Sequence, residues 1–255
     1  MKTWENSNQL DACFVSTKEN FIKSKIDGLS YLSKYEILGH NLVKNQDFIY
    51  ADIEDFNKFK NSKILVVGGG PTALERDWDP NDYDYIFSCN HFFLSDKLRR
   101  QKVDLCILCA EVDIFSQPFL NYVSEFKPYI GFEDYWLPPQ NVQTLQSFFP
   151  DLVFQCRSRF QGKIGVAPKL LILATVLGAK EVQYIGVDGT PPDYKQGDVS
   201  LHSFQKNKKF ACNYDYNKLL IHYQTLKDFL ENDIGKDVVY KNLGAGHEYN
   251  CLSKV

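Results

Sequence analysis

The stretch Lys63-Ile-Leu-Val-Val-Gly-Gly-Gly-Pro-Thr72 decides the fold, because an apolar strand gives way to three glycines and a Pro-Thr pair that can begin a helix. Glycines let the backbone approach a ligand closely, and the free N–H groups at a helix start attract anions. The spacing matches neither Gly-x-Gly-x-x-Gly nor a Walker loop, so it identifies neither a dinucleotide nor an ATP site. A phosphate-binding loop and a strand-to-helix turn without a ligand both fit this stretch.

Strand-like and helix-like segments alternate along the rest of the chain. The sequence predicts strands at 64–67, 85–89, 105–109, 152–155, 182–187 and 238–240. Helix-length segments lie between most of them, at 94–101, 115–126, 142–149, 166–177 and 216–232. This alternation predicts an α/β fold with a Rossmann-like, doubly wound and largely parallel sheet.

Two units are predicted along the chain. Residues 1–60 form a helical N-terminal segment packed on the core, with helices at 19–26 and 52–60. Residues 61–255 form the Rossmann-like domain itself. A chain of 255 residues with 44% hydrophobic residues is long enough to bury one substantial core of this kind.

Composition narrows the class of protein. The net charge of −3 does not favour nucleic-acid binding, and the chain has no apolar run long enough to cross a membrane. The first residues lack the apolar stretch of a secretory signal, so the expected location is the cytoplasm. Seven scattered cysteines suit a reducing compartment better than a disulfide framework. The Cys106-x-x-Cys109 spacing falls inside a predicted buried strand, which does not favour a zinc or redox site.

Polar residues follow several predicted strands at the point where each strand ends. In parallel sheets the carboxyl ends of the strands share one edge, where ligands bind. A single acid after a strand is commonly a helix cap or a surface group, but two acids and a glycine loop at one edge favour a functional site. The residues concerned are Gly68, Gly69, Gly70, Pro71, Thr72, Asn90, Glu111 and Asp188.

Two segments resemble bacterial sialyltransferases that use CMP-sialic acid. Gly68-Gly-Gly-Pro-Thr-Ala-Leu-Glu-Arg76 and Asn81-Asp-Tyr-Asp-Tyr-Ile-Phe-Ser-Cys-Asn90 are similar to the nucleotide-binding opening of those enzymes. Gly165-Val166 and Gly186-Val-Asp188 resemble their later helix start and strand end. The resemblance implies that the glycine loop, Asn90 and Gly165 bind the cytidine nucleotide.

The departures from that pattern resemble a related family, the retaining β-Kdo transferases of lipopolysaccharide and capsule assembly. Cys109-Ala-Glu111 stands where sialyltransferases have Asn-Pro-Ser, and Ile164 stands where they have Ser. The Kdo enzymes use a Glu, an Asp and a His in that order, and Glu111, Asp188 and His222 follow it. The resemblance implies CMP-Kdo as the donor, a glycan as the acceptor and Asp188 as the nucleophile at the anomeric carbon.

The chemistry of a CMP-activated sugar suits these residues. In a retaining route one carboxylate acts as the nucleophile and the other handles the acceptor proton. The leaving phosphate needs N–H groups or cations, which the glycine loop, Lys163, His222 and the basic run 206–209 could supply, although such a run is more often a solvated loop. His247 lies in a glycine-rich loop that could close over the ribose or the base, although a C-terminal turn explains those glycines too.

The sequence thus predicts a cytoplasmic CMP-sugar glycosyltransferase that needs no metal and no separate cofactor. Its partners are a CMP-sugar donor and a glycan acceptor, with no nucleic acid and at most peripheral association with a glycan-assembly complex. One alternative is an inverting, sialyltransferase-like enzyme with His202 or His222 as base. Others are a nucleotide- or pterin-diphosphate-binding protein without transferase activity, and an inactive module of a larger assembly.

Overall fold

The computed structural model describes residues 13–16, 56–109, 111–133, 139–149, 151–158, 165–210 and 216–244. The strands within these ranges are β1 (Cys13–Ser16), β2 (Lys63–Val67), β3 (Tyr85–Cys89), β4 (Leu105–Leu108), β5 (Tyr129–Glu133), β6 (Val153–Ser158), β7 (Glu181–Ile185) and β8 (Val239–Asn242). The helices are α1 (Thr72–Glu75), α2 (Gln117–Phe126), α3 (Pro139–Phe148), α4 (Val166–Val176) and α5 (Tyr216–Asp228), the last continuing as a π-helical segment over Phe229–Ile234.

All eight described strands form one sheet in the order β1-β6-β5-β4-β3-β2-β7-β8. The seven strands from β2 to β8 are parallel, and β1 pairs antiparallel with β6 at one edge. The chain moves outward from β2 to β6 and then returns to place β7 on the other side of β2. The predicted Rossmann-like α/β fold is confirmed, and its topological switch point lies between β2 and β7.

The central strand and one helix explain why this sheet is buried. Val66 of β2 pairs with Phe87 of β3 and Tyr184 of β7, and every residue of 64–67 is at most 1% exposed. A continuous apolar run of this kind is typical of a parallel strand covered on both faces. Helix α4 packs on β2, β3 and β7, and its residues 170–175 are all buried. A continuous apolar run of this length within a helix is typical of a helix buried against a core.

Most predicted elements are present with shifted ends, but the predicted helix at 94–101 is wrong. Two short 3-10 turns, Phe92–Leu94 and Leu98–Arg100, occupy this connection. Ser95 between them is extended, and its Oγ accepts a hydrogen bond from the Leu98 N–H at 3.5 Å. A serine that bonds to nearby backbone in this way competes with a continuous helix.

Two strands were not predicted. Strand β5 contains Gly131, and glycine weakens strands. Glycine is nevertheless required here, because a Cβ would lie 2.6 Å from the ring of Phe154, the register partner of Gly131 on β6. The other strand, β1, lies within the N-terminal segment predicted to be helical. The predicted helix at 19–26 lies outside the described residues, and the described part of 52–60 contains the 3-10 turn Asn57–Phe59. No helix of the described ranges has both the length and the apolar character needed to span a bilayer.

Candidate functional site

The carboxyl edge of the parallel strands brings four polar segments together. The glycine loop, Gly68–Thr72, follows β2, and Asn90 and His91 follow β3. Glu111 follows β4, and Asp188 follows β7. A hairpin formed by residues 197–210 covers this edge and is closed by the backbone bridge between Val199 and Lys209.

The glycine loop packs directly against the end of β7. The N–H groups of Gly68 and Gly70 donate to the carbonyl oxygens of Ile185 and Gly186 at 2.8 and 2.7 Å. A Cβ on Gly68 would overlap the Gly186 carbonyl, and one on Gly70 would overlap the Asp188 carboxylate. Both glycines are therefore explained by close approach of the chain to itself.

Asp188 is held by Thr72 through both of its carboxylate oxygens. Oδ2 accepts from the Thr72 N–H at 2.9 Å, and Oδ1 accepts from the Thr72 hydroxyl at 2.6 Å. The same hydroxyl accepts the N–H of Gly186 at 3.0 Å, so the Thr72 side chain joins α1 to the end of β7. Thr72 is only 3% exposed. Asp188 thus fixes the glycine loop at the switch point of the sheet.

Most of the N–H groups predicted to hold a phosphate are used inside the protein. Four of them donate to acceptors of the chain itself, those of Gly68, Gly70, Thr72 and Ala73. The N–H of Gly69 has no hydrogen-bond partner among the described residues. The loop therefore offers a ligand this one backbone donor.

The hairpin is anchored on the glycine loop. The Ser203 N–H donates to the Gly69 carbonyl at 2.8 Å, and the Ser203 hydroxyl donates to the Gly70 carbonyl. The imidazole of His202 lies over Gly69, where any Cβ would overlap it. Gly69 thus accommodates His202.

Glu111 is the centre of a polar cluster beside the hairpin. Its Oε1 accepts from Lys208 Nζ at 2.9 Å and from Asn90 Nδ2 at 3.4 Å, and it lies 4.0 Å from His91 Nδ1. Asn90 adopts the left-handed conformation, with φ of 52°, and its Oδ1 accepts from the Cys109 N–H at 3.0 Å. Asn tolerates this conformation better than most residues, so its position at the end of β3 has a structural reason.

The charges of this cluster follow from burial and from Lys208. Burial alone would raise the pKa of the Glu111 carboxyl, but the hydrogen bond and charge of Lys208 outweigh burial and bring the pKa below its ordinary value. Burial lowers the pKa of His202 to about 4, and the charge of Lys208 acts in the same direction. Burial also lowers the pKa of His91. Near neutral pH the cluster therefore holds an ionised Glu111 and two neutral histidines.

The tautomer of His202 follows from its own backbone contact. The Phe204 N–H donates to His202 Nδ1 at 3.2 Å, so Nδ1 carries a lone pair and the ring proton is on Nε2. A neutral imidazole of this kind donates a hydrogen bond through Nε2 and has no free lone pair for accepting a proton. This geometry argues against His202 as the general base of the inverting alternative.

Three buried polar atoms of the described residues have no hydrogen-bond partner, and all three belong to segments at this edge. They are His91 Nδ1, Thr190 Oγ1 and Gln205 Oε1. His91 is only 8% exposed. Unpaired buried polar atoms are rare in proteins and often mark a place where a ligand or water completes the bonding.

Of the remaining predicted site residues, Gly165 is the one that the structure describes fully. Gly165 precedes α4 with φ of 80° and is exposed, and no heavy atom of the described residues beyond its own chain neighbours lies within 4 Å of its Cβ position. The backbone of His222 lies within α5, but its side chain is outside what the structure describes. Lys163 and His247 lie outside the described residues. The structure therefore brings together Glu111, Asn90, Asp188 and the glycine loop.

The described residues contain no cluster of three or more His, Cys, Asp or Glu side chains suited to a metal ion. The Asp-x-Asp spacing of metal-dependent sugar-nucleotide enzymes does occur, at Asp77 and Asp79 and at Asp82 and Asp84. However, Asp84 accepts the N–H of Lys63 at 2.7 Å, at the amino end of β2. Asp82 and Asp84 therefore lie at the opposite edge of the sheet from Glu111.

Sequence reasoning gave too little weight to the hairpin. His202 was considered only as an alternative base, and Lys208 lies in a basic run, 206–209, typical of a solvated loop. The available signal was the position of the segment, since a long connection with a histidine and several lysines follows the strand that ends at Asp188.

No protein-family model and no curated protein sequence matches this chain. Function is therefore inferred from the geometry of this edge and from the motifs in the sequence.

Proposed function

We propose that this chain is a glycosyltransferase that moves a CMP-activated keto-sugar acid, Kdo in the first instance, onto a glycan acceptor. The observation that supports this most is the convergence of the glycine loop, Asn90 and an ionised Glu111 at the edge where α/β proteins bind nucleotides. The resemblance of the glycine loop and the Asn90 segment to CMP-sugar enzymes supplies the substrate class.

Glu111 is the acceptor base in this proposal. The carboxylate takes the proton of the acceptor hydroxyl while the hydroxyl oxygen forms the new glycosidic bond. The bond between the anomeric carbon and the phosphate oxygen breaks, and CMP leaves with the electron pair. The Gly69 N–H and His202 Nε2–H donate to the phosphate and stabilise the charge that develops on it.

The role of Asp188 separates two mechanisms. In the retaining route, Asp188 attacks the anomeric carbon and forms a sugar ester, which the acceptor then displaces from the opposite face. The two hydrogen bonds from Thr72 to Asp188 favour a second candidate, in which Asp188 fixes the loop and the acceptor attacks directly. The second route inverts the configuration and still uses Glu111 as the base.

Intact-mass spectrometry and product analysis distinguish these mechanisms. Wild-type protein is incubated with CMP-Kdo generated in situ, and both CMP release and the mass of the protein are followed. With an acceptor glycan present, wild type should release CMP over repeated turnovers, and Glu111→Gln should slow turnover at least ~100-fold, the usual contribution of a general base. A sugar adduct that disappears in Asp188→Asn would establish the retaining route, whereas an inverted product without an adduct would establish direct displacement.

Asp188→Asn is the suitable variant because an asparagine can still bond to the Thr72 N–H and hydroxyl. Nucleotide binding without any CMP release, in wild type as in Glu111→Gln, would contradict the transferase proposal. That outcome would favour the nucleotide- or pterin-diphosphate-binding alternative.

A further inference from the structure

Lys208 contacts Glu111 and belongs to the hairpin that covers the glycine loop. Its Nζ lies 2.9 Å from Glu111 Oε1, and it belongs to the hairpin that carries His202 over Gly69. The hairpin holds the backbone of Lys208 in place, since the Lys208 carbonyl accepts the Ser200 N–H at 2.6 Å. The charged end of Lys208 thus reaches the carboxylate from the element that also contacts the glycine loop.

Lys208 is the cation that acts on Glu111 near neutral pH. The titratable groups around Glu111 come from three directions: His91 and Cys89 from the β3 end, Cys109 from the β4 end, and His202 and Lys208 from the hairpin. Burial lowers the pKa of both histidines and raises the pKa of both thiols, so all four groups are neutral at that pH. Among the described residues around Glu111, Lys208 therefore supplies the positive charge.

The amino group of Lys208 can leave Glu111 and pair with another anion. The Lys208 and Glu111 side chains are 27% and 44% exposed, and pairs in contact with water are held weakly. A lysine is a point charge on a flexible stem, so its amino group can move to a new anion without displacing the backbone. A phosphate bound by the Gly69 N–H and His202 Nε2–H would lie on the same hairpin side of the site.

We propose that Lys208 is an exchangeable counter-ion, paired with Glu111 in the ligand-free protein and transferred to the phosphate of the bound donor, which leaves Glu111 unpaired. This inference rests on the proposed function, because the donor phosphate is the anion that attracts Lys208. In this account Lys208 contacts the donor phosphate directly and acts on the acceptor through Glu111.

The exchange would activate the base only when the donor is present. Burial is the largest influence on the pKa of Glu111 and acts upward. Once Lys208 has left, burial is no longer offset, so the pKa of the carboxyl rises and the carboxylate accepts a proton more readily. The same movement stabilises the leaving phosphate, so one residue couples donor binding to acceptor activation.

The test follows the Glu111 carboxyl directly by 13C NMR of glutamate-labelled protein during a pH titration, with the resonance assigned by its loss in Glu111→Gln. Lys208→Met should raise the pKa of Glu111 in the ligand-free protein. Two controls accompany it: Lys208→Arg should keep the pKa of Glu111 low, and Lys195→Met, on the same connection, should leave that pKa unchanged. Saturating CMP should raise the pKa of Glu111 in wild type by more than in Lys208→Met, where only the negative charge of the phosphate acts on the carboxyl.

Each outcome of this titration has a separate meaning. CMP binding with an unaltered Glu111 titration in wild type would overturn the counter-ion exchange and leave the proposed function standing. Failure of CMP to bind would overturn the proposed function and the exchange with it. An unchanged pKa of Glu111 in folded Lys208→Met would overturn the exchange irrespective of any ligand.

Discussion

At the scale of single residues, a side chain at this edge can have a structural role or a chemical role, and its contacts help to distinguish the two. Asp188 was predicted as a nucleophile from the resemblance of the sequence to β-Kdo transferases, and its position after a buried strand placed it at the ligand-binding edge. Its hydrogen bonds to Thr72 also give it a structural role that the sequence could not reveal. The contact joins residues 116 positions apart, and only the folded chain places them together.

The first prediction measures this structural role. Asp188→Ala should lower the free energy of unfolding by roughly 2 kcal/mol, because it removes two bonds to a charged acceptor and leaves the buried Thr72 N–H unpaired. Asp188→Asn, the matched control, should cost less than about 1 kcal/mol, because it can keep both contacts. Equilibrium denaturation of the three proteins provides the comparison. Equal stability of Asp188→Ala and wild type would show that the contact with Thr72 contributes nothing to folding.

At the scale of elements, the glycine loop and the hairpin form one unit. The glycines predicted a loop, and a bound phosphate and a strand-to-helix turn without a ligand both remained open as reasons for them. The structure provides a reason for each glycine within the protein: Gly68 faces the Gly186 carbonyl, Gly70 faces Asp188, and Gly69 faces His202. Close packing by itself therefore explains why the sequence Gly-Gly-Gly occurs here.

The second prediction is a double-mutant cycle between Gly69 and His202. Gly69 has no positive φ, so a Cβ there would be costly through its overlap with the imidazole and not through backbone strain. Gly69→Ala should destabilise the protein by about 1–3 kcal/mol, the usual cost of overpacking. In the His202→Ala background the same change should cost at least about 1 kcal/mol less, measured by chemical denaturation.

Additive effects of the two substitutions would contradict this packing. The hairpin would then lie away from the loop in solution, and the proposed contact between His202 and the donor phosphate would lose its basis.

Sequence reasoning predicted elements well where long apolar runs determine them and poorly where tertiary contacts do. Strands β2 and β3 and helix α4 follow from apolar runs that can only be buried. Strand β5 was missed because Gly131 weakens a strand locally and is favoured only by the ring of Phe154 on the next strand. The predicted helix at 94–101 failed because the Ser95 side chain bonds to nearby backbone.

At the scale of the whole molecule, the strand order determines where the site lies. Residues from four separate strand ends meet at one edge because β2 is central and the chain reverses between β2 and β7. This convergence could be predicted from the alternation of strands and helices. The position of the hairpin could not, because it depends on contacts of Ser203 and His202 with a loop more than 130 residues earlier in the chain.

The central claim is that this edge binds a cytidine nucleotide, and the most direct test is a thermal-shift comparison of CMP, UMP, AMP and GMP at equal concentrations. A ligand at 100 times its dissociation constant stabilises a protein by about 2.7 kcal/mol, which gives a clear shift in Tm. We expect CMP to stabilise the wild-type protein more than the other three nucleotides do. In Gly69→Val most of this stabilisation should be lost, because the added side chain displaces His202 and blocks the backbone N–H. Stabilisation by UMP or a purine nucleotide alone, or an undiminished CMP shift in folded Gly69→Val, would contradict the account.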